Sequence, residues 1–292
     1  MQSIQQNILQ TGKTSQSAVR VAIARAVHQL LDDPIVFEDS LAFSVLGHQT
    51  EEFVRNDPFQ FNDPPARTMR AAIVARSRLA EDELQKAVNN GVKQYVVLGA
   101  GLDTFCMRNP YQADGLRVFE IDHPAMQEHK RQVIRQASIT MPDSTVFVPV
   151  DFESDSLAEK LREAGFRVDE PAYFSWLGVT VYLSNAAVLE TLSFVAKLPK
   201  RSGITFDYRL PVSLLNPIEK MMEELGAAAF AALGEPWVSA FEPAELQQKL
   251  IDAGFTETAH FGPTELNTKF FQKRKDGLQT GGGGFRFLCA YV

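Results

Sequence analysis

Cysteine is nearly absent: Cys106 and Cys289 are the only two in 292 residues. They form no CxxC pair and have no histidine at ligand spacing, which excludes a disulfide framework and a thiolate-built zinc site. Both read as buried thiols. Long apolar runs are missing as well. No stretch approaches the about eighteen uninterrupted apolar residues of a membrane span, and residues 1–17 are polar where a secretory leader carries an apolar core. The chain is expected to be cytoplasmic, with no membrane partner. The third thing lacking is excess positive charge. A formal charge of −7 and a pI near 5.4 give no general attraction to phosphate backbones, so nucleic acid is not an expected partner.

What is present describes a folded protein. Hydrophobic residues make up 45% and charged residues 22%, and the length suits one large core with an appendage. Apolar residues recur at helical spacing through Ala18, Val19, Ala22, Ile23, Ala26, Val27, Leu30 and Leu31, predicting a helix over 15–31 capped by Ser15 or Ser17. A short apolar segment follows at 37–46, then a Pro- and Asn-rich loop at 56–65, then a longer helix over 68–90 that stops at Asn90-Gly91. After Gly91 the pattern changes. Strands are expected at 94–98, 116–121, 145–150, 173–177 and 204–208, with helices at 124–138, 155–164 and 185–197 between them. That alternation predicts a parallel sheet. A stretch at 211–236 with its own helical period interrupts it, before a helix at 243–253. Two last strands, 257–261 and 285–292, joined by a segment containing the glycines 281–284, would complete seven strands with a hairpin. The expected organisation is a helical extension over 1–90 and an α/β core over 91–292, with an inserted lid over about 211–240.

The chemistry begins after the first strand of that body. In VVLGAGLDT, Gly99, Ala100 and Gly101 directly follow apolar residues. Glycines there let backbone approach a ligand closely, and a helix beginning just beyond would offer free N–H groups; a tight turn with no ligand is the alternative. Glu120 and Asp122 end the second strand about twenty residues on, alternate to one face, and stand where a carboxylate accepts both hydrogen bonds of a ribose diol. Asp151 ends the third strand with Phe152 beside it. Each acid singly could be the N-cap of the following helix, but acids at successive strand ends share the edge where open α/β sheets bind ligands.

The missing pieces narrow the ligand. A dinucleotide fold wants a third glycine where this sequence has Thr104, preceded by Asp103, and no triphosphate-binding loop occurs. A ligand with adenine and ribose but no phosphate suits the site, and S-adenosyl-L-methionine is one.

These residues resemble the leucine carboxyl methyltransferase-like family, including its bacterial O-methyltransferases of polyketide pathways. The likeness is carried by ARSR at 75–78, LGAGLDT at 98–104, FEIDHP at 119–124, VDF at 150–152 and VYL at 181–183, and extends to PIVFEDSLA at 34–42. It implies a Rossmann-like α/β fold that binds S-adenosyl-L-methionine and releases S-adenosyl-L-homocysteine. By the resemblance, Arg76 holds the cofactor carboxylate, Gly99 its methionine part and Asp122 its ribose, while Asp151 and Phe152 contact adenine. One departure stands out: where the family has a glutamate at the end of the fourth strand, this chain has Leu177. The family's basic residue near the first helix has three candidates here, Lys13, Arg20 and Arg25.

Methyl transfer from a sulfonium is an in-line displacement that needs positioning and exclusion of water. A carboxylate acceptor is already ionised. A phenol or alcohol needs a base, for which His123, Tyr182 and Tyr208 are the candidates, each with a local packing or hydrogen-bonding role as its alternative. The lid residues Met221, Met222 and Phe230 read either as an adaptable surface over a small, partly apolar or aromatic acceptor or as the buried stripe of an amphipathic helix. Arg209 is either a partner for an acceptor carboxylate or half of a surface ion pair. The expected function is O-methyl transfer to a small molecule, with a carboxylate favoured. A phenolic O-methyltransferase, a dehydrogenase and a non-catalytic cofactor-binding protein are the alternatives.

Overall fold

The computed structural model describes residues 15–152 and 154–292, so Lys13 and the first fourteen residues of the expected extension lie outside the described residues. Helix α1 spans Gln16–Leu31, and the Ser15 hydroxyl accepts from Ala18 N at 3.3 Å, the N-cap read from sequence. The apolar segment at 37–46 settles as turns. Helix α2, His48–Asn56, was not anticipated, because it buries only Thr50 and Val54 and so carries little apolar period.

Helix α3 spans Pro64–Asn89 and begins four residues before its expected start. The cause is local: Asp63 accepts from Ala66 N at 2.9 Å, and Pro64-Pro65 occupy the first turn, where a missing N–H costs nothing. Then follow β1 (Gln94–Leu98), the one-turn α4 (Phe105–Arg108), β2 (Arg117–Asp122), α5 (Pro124–Gln136), β3 (Thr145–Pro149), α6 (Leu157–Glu163), β4 (Ala172–Trp176), α7 (Asn185–Ala196) and β5 (Gly203–Arg209). After β5 come α8 (Pro217–Ala231), α9 (Pro243–Ala253), β6 (Glu257–Phe261), α10 (Pro263–Phe270) and β7 (Phe285–Tyr291).

The seven strands form one sheet in the order β3-β2-β1-β4-β5-β7-β6, and β7 runs antiparallel to both of its neighbours. Strand alternation divides the core between the two faces. Val96, Leu98, Phe174, Ile204 and Phe206 pack with Leu161, Val188, Leu192, Leu246 and Leu250 of α6, α7 and α9. Tyr95, Val97 and Val118 pack with Ala22, Ala26, Leu84 and Val133 of α1, α3 and α5. The helical extension therefore closes one face of the sheet and shares its core. No helix among the described residues is long and apolar enough to cross a membrane.

Helix α8 lies within the stretch expected as an inserted lid. Asn216 caps it, and Glu219 returns a bond by accepting Asn216 N at 3.1 Å. Its apolar residues do not form a buried stripe: Ile218 is 72% and Leu225 61% exposed, and Met221 and Met222 are exposed too. The buried residue of this helix is Glu223.

Candidate active site

A cavity of about 1000 Å³ opens over the carboxyl ends of β1, β2, β4 and β5, beneath α1, α3 and α8. The order of the sheet reverses between β1 and β4, which is where open α/β sheets form a ligand crevice. Gly99 and Gly101 line it at φ of +63° and +49°, conformations that side chains rarely adopt. A Cβ on Gly99 would stand 2.3 Å from Val179 Cγ2, so the loop after β1 meets the segment after β4 with no space to spare.

Asp122 lines the cavity at the end of β2. One carboxylate oxygen accepts Gly101 N at 2.6 Å and the other accepts His123 N at 2.7 Å. Burial raises its pKa, and those two bonds oppose the rise. Asp151 and Phe152 also reach the cavity, with the Phe152 ring stacked on Trp176 at 6.3 Å. Ala100 lines the same loop. Asp103 lines it too, but its Oδ2 is held by Arg25 Nη1 at 2.6 Å. Arg25 also binds Asp39 and donates to Thr104 Oγ1 at 2.9 Å. Thr104, at the position of the third dinucleotide glycine, is thus a tether between the glycine loop and α1. Of the basic residues near the first helix, Arg25 is buried in this clamp, while Arg20 lines the cavity with its guanidinium over the Phe230 ring.

Glu120 is a correction. It shares a face with Asp122, as alternation requires, yet stands two residues back from the strand end, beneath α5. There Lys130 Nζ donates to both its oxygens at 2.7 and 2.6 Å, and the carboxylate does not line the cavity. Tyr208 is a second correction: it is 1% exposed and belongs to the core on the opposite face of β5, with burial pushing its phenol up to about 12. Arg209 takes its ion-pair alternative, with both side chains largely buried rather than at the surface. It stands outside the cavity lining, donates to Ser239 O at 3.2 Å and lies 3.7 Å from Glu223.

His123 takes its local role, accepting Ala125 N at 3.2 Å as the N-cap of α5. Tyr182 does line the cavity, and burial raises its phenol above the ordinary range. Arg76 projects into the cavity from α3 and donates to Asp207 Oδ2 at 2.8 Å. Asp207 is the site residue that sequence reading missed. Its signal was an acid alternating with apolar residues near the end of β5, on the face opposite Ile204 and Phe206.

The far end of the cavity is apolar. Phe230 stacks on Trp237 at 5.3 Å, and Phe285 meets Trp237 edge-on at 5.3 Å. The glycine run 281–284 lies against α8: a Cβ on Gly282 would meet Glu219 at 2.5 Å, and one on Gly284 would meet Glu223 at 2.6 Å. These glycines let a bare backbone seat two acids on successive turns of α8.

A sheet of this order, with one reversed strand and a glycine loop at its switch point, defines a Rossmann-like α/β fold with a ligand crevice at that point. Among solved structures, the chain is similar to a protein of Thermobifida fusca YX named "putative methyltransferase" (TM-score 0.59, 17% identity, covering 97% of this chain and 96% of that one). It is also similar to a DUF574 family protein from Streptomyces avermitilis (TM-score 0.52, 13% identity, 93% and 96%). The family model for leucine carboxyl methyltransferase matches residues 18–196. YktD of Bacillus subtilis (strain 168), named "Putative S-adenosyl-L-methionine-dependent methyltransferase", is 32% identical over 92% of this chain and 95% of its own length. SCO7813 of Streptomyces coelicolor, of the same description, is 32% identical over 66% and 69%. The chain belongs to the leucine carboxyl methyltransferase family, whose cofactor is S-adenosyl-L-methionine.

Proposed function

We propose that this protein transfers a methyl group from S-adenosyl-L-methionine to an oxygen of a small, partly apolar acceptor, with a carboxylate favoured over a hydroxyl. The observation that carries the reading is a row of groups along the strand ends in sheet order. Asp151 and Phe152 follow β3, Asp122 ends β2, the loop Gly99–Gly101 follows β1, Gly178 follows β4, and Asp207 lies near the end of β5 with Arg76 above it. Neighbouring strands stand about 4.8 Å apart. A molecule built as adenine, ribose and amino acid matches that succession, and the cradle fits it: bare backbone at Gly99, a diol acceptor at Asp122 and an aromatic ring at Phe152.

When bound, the sulfonium supplies the electrophilic methyl group. The chain's own part is to hold the acceptor oxygen in line and keep water out. Phe230, Trp237 and Phe285 give the acceptor end an apolar wall. The preference for a carboxylate follows from where the candidate bases lie. Tyr208 faces the other side of the sheet, His123 is engaged as a cap, and the raised pKa of Tyr182 makes its phenolate scarce near neutral pH. A carboxylate acceptor needs none of them.

The test is calorimetric titration of S-adenosyl-L-homocysteine into the wild type and Asp122→Ala, followed by a carboxylic-acid acceptor screen. Binding weakened at least about tenfold in the variant, or about 1.4 kcal/mol, supports the ribose assignment. No binding to the folded wild type removes the reading. Turnover confined to phenols, with a pH profile that follows Tyr182, would replace the carboxylate preference.

A further inference from the structure

Arg76 and Asp207 form a pair of opposite charges facing one end of the cavity. Their separation, 2.8 Å between Nη1 and Oδ2, places both charges within reach of a single amino-acid carbon. Asp207 points toward α3 because β5 alternates: Ile204, Phe206 and Tyr208 belong to the core beneath α7 and α9, so Thr205 and Asp207 face the other way. Its carboxylate accepts Gly178 N at 2.7 and 2.9 Å, besides the Arg76 bond. An ionised carboxylate offers about four lone-pair positions, so it retains capacity toward the cavity it lines.

The connection to the rest of the site runs through Gly178 and Val179. Gly178 has φ +74°, and a Cβ there would stand 2.7 Å from Arg76 Nη2; only glycine lets the chain pass under the guanidinium. The next residue, Val179, touches Gly99. The ion pair therefore borders the glycine loop on the side away from Asp122. Leu177, at the end of β4, brings no charge to this corner, and Asp103 is engaged by Arg25. A lone arginine here would attract an α-carboxylate but repel the α-ammonium on the same carbon. We propose that Asp207 binds the α-ammonium group of the cofactor's amino-acid tail while Arg76 takes the α-carboxylate, so that the acid on β5 serves where the end of β4 offers leucine. This rests on the methyltransferase reading above. Burial raises the Asp207 pKa, and a bound ammonium would favour its ionised form.

Three nucleosides separate the charges: S-adenosyl-L-homocysteine carries both groups, its decarboxylated analogue keeps only the ammonium, and methylthioadenosine has neither. Each is titrated calorimetrically into the full chain as wild type, Asp207→Asn and Arg76→Gln. Asp207→Asn is expected to weaken the first two at least about tenfold and to leave methylthioadenosine within about twofold. Arg76→Gln is expected to weaken S-adenosyl-L-homocysteine alone. If Asp207→Asn spares the decarboxylated analogue, Asp207 only positions Arg76 and the proposal is overturned; equal loss of all three ligands, or no loss, overturns it too. Should Asp207→Asn fail to fold, the wild type decides. The decarboxylated analogue must bind at least about tenfold more tightly than methylthioadenosine, and parity or the reverse order rejects the ammonium site. Failure of every nucleoside to bind the folded wild type would instead sink the methyltransferase reading itself.

Discussion

Val179 packs directly on Gly99: its Cγ2 lies 2.3 Å from the point where a Cβ on that glycine would stand, and Gly99 is held at φ +63°. Steric space and backbone conformation thus impose glycine independently. Gly99→Ala must either move Val179 away from the loop or leave the left-handed region, and both reshape the corner between Asp122 and Arg76. S-adenosyl-L-homocysteine should bind the variant at least about tenfold more weakly. Unchanged affinity by calorimetry would mean the loop does not touch the ligand. Trimming the obstruction with Val179→Ala in the same chain should restore part of the loss.

The clamp between Arg25 and Asp103 predicts a pH dependence of stability. Burial alone would raise the Asp103 pKa, but Arg25 and then Arg108 outweigh it and hold the carboxyl at about 2, against an ordinary 3.8. A folded value below the unfolded one means that the contribution is complete above about pH 4 and is lost as pH falls through the folded value. The shift corresponds to about 2 kcal/mol. In urea unfolding, Asp103→Asn should therefore lie about 2 kcal/mol below wild type at pH 7, and the gap should narrow by roughly half at pH 3. A gap that stayed constant or widened on acidification would show that Asp103 is not the titrating member.

Close packing of the glycine run against α8 predicts how that helix can be loosened without touching the cofactor end. A Cβ on Gly284 would meet three atoms of the Glu223 carboxyl group at 2.6 to 2.8 Å. Glu223 is buried and ties α8 to Arg209 across 3.7 Å, so its carboxyl group must give way and that tie is disturbed. Lys220 is the one basic residue in α8. Gly284→Ala should speed tryptic cleavage after Lys220 several-fold while S-adenosyl-L-homocysteine affinity stays within about twofold. Equal cleavage rates would mean that α8 is not held by this contact.

Much of the architecture was legible because β-branched and aromatic runs alternate with helical periods from Gln94 onward, and strand ends fell within one or two residues of their expected places. The parts that escaped did so for physical reasons. Helix α3 began early because Pro64-Pro65, read as loop, serve equally well as a first turn behind Asp63. Helix α10 lay hidden in a short polar stretch, although Glu265 reaching back to Gly262 N at 2.8 Å marks its start. At the site, period-2 alternation correctly put Glu120 and Asp122 on one face but says nothing of depth, which decides whether a carboxylate meets ligand or Lys130. It also cannot tell which of two neighbours, Asp207 or Tyr208, looks into the cavity, since that depends on what covers each face. The exposed apolar residues of α8 escaped for the same reason: a helical period shows a stripe without showing what it faces.

The pair between Glu120 and Lys130 makes the last prediction, because it separates a structural acid from a binding one. Both side chains are almost fully buried, and Nζ stands 2.6 and 2.7 Å from the two carboxylate oxygens. Removing one partner strands the other charge without water. Lys130→Met should therefore cost about 3–5 kcal/mol in denaturant unfolding. Replacing both, as Glu120→Gln with Lys130→Met, should recover most of that loss, since the pair's attraction mainly offsets its own desolvation. The folded double variant should bind S-adenosyl-L-homocysteine with wild-type affinity, in contrast to Asp122→Ala. Weakened binding in a stable double variant would return Glu120 to the ribose site, against its placement beneath α5.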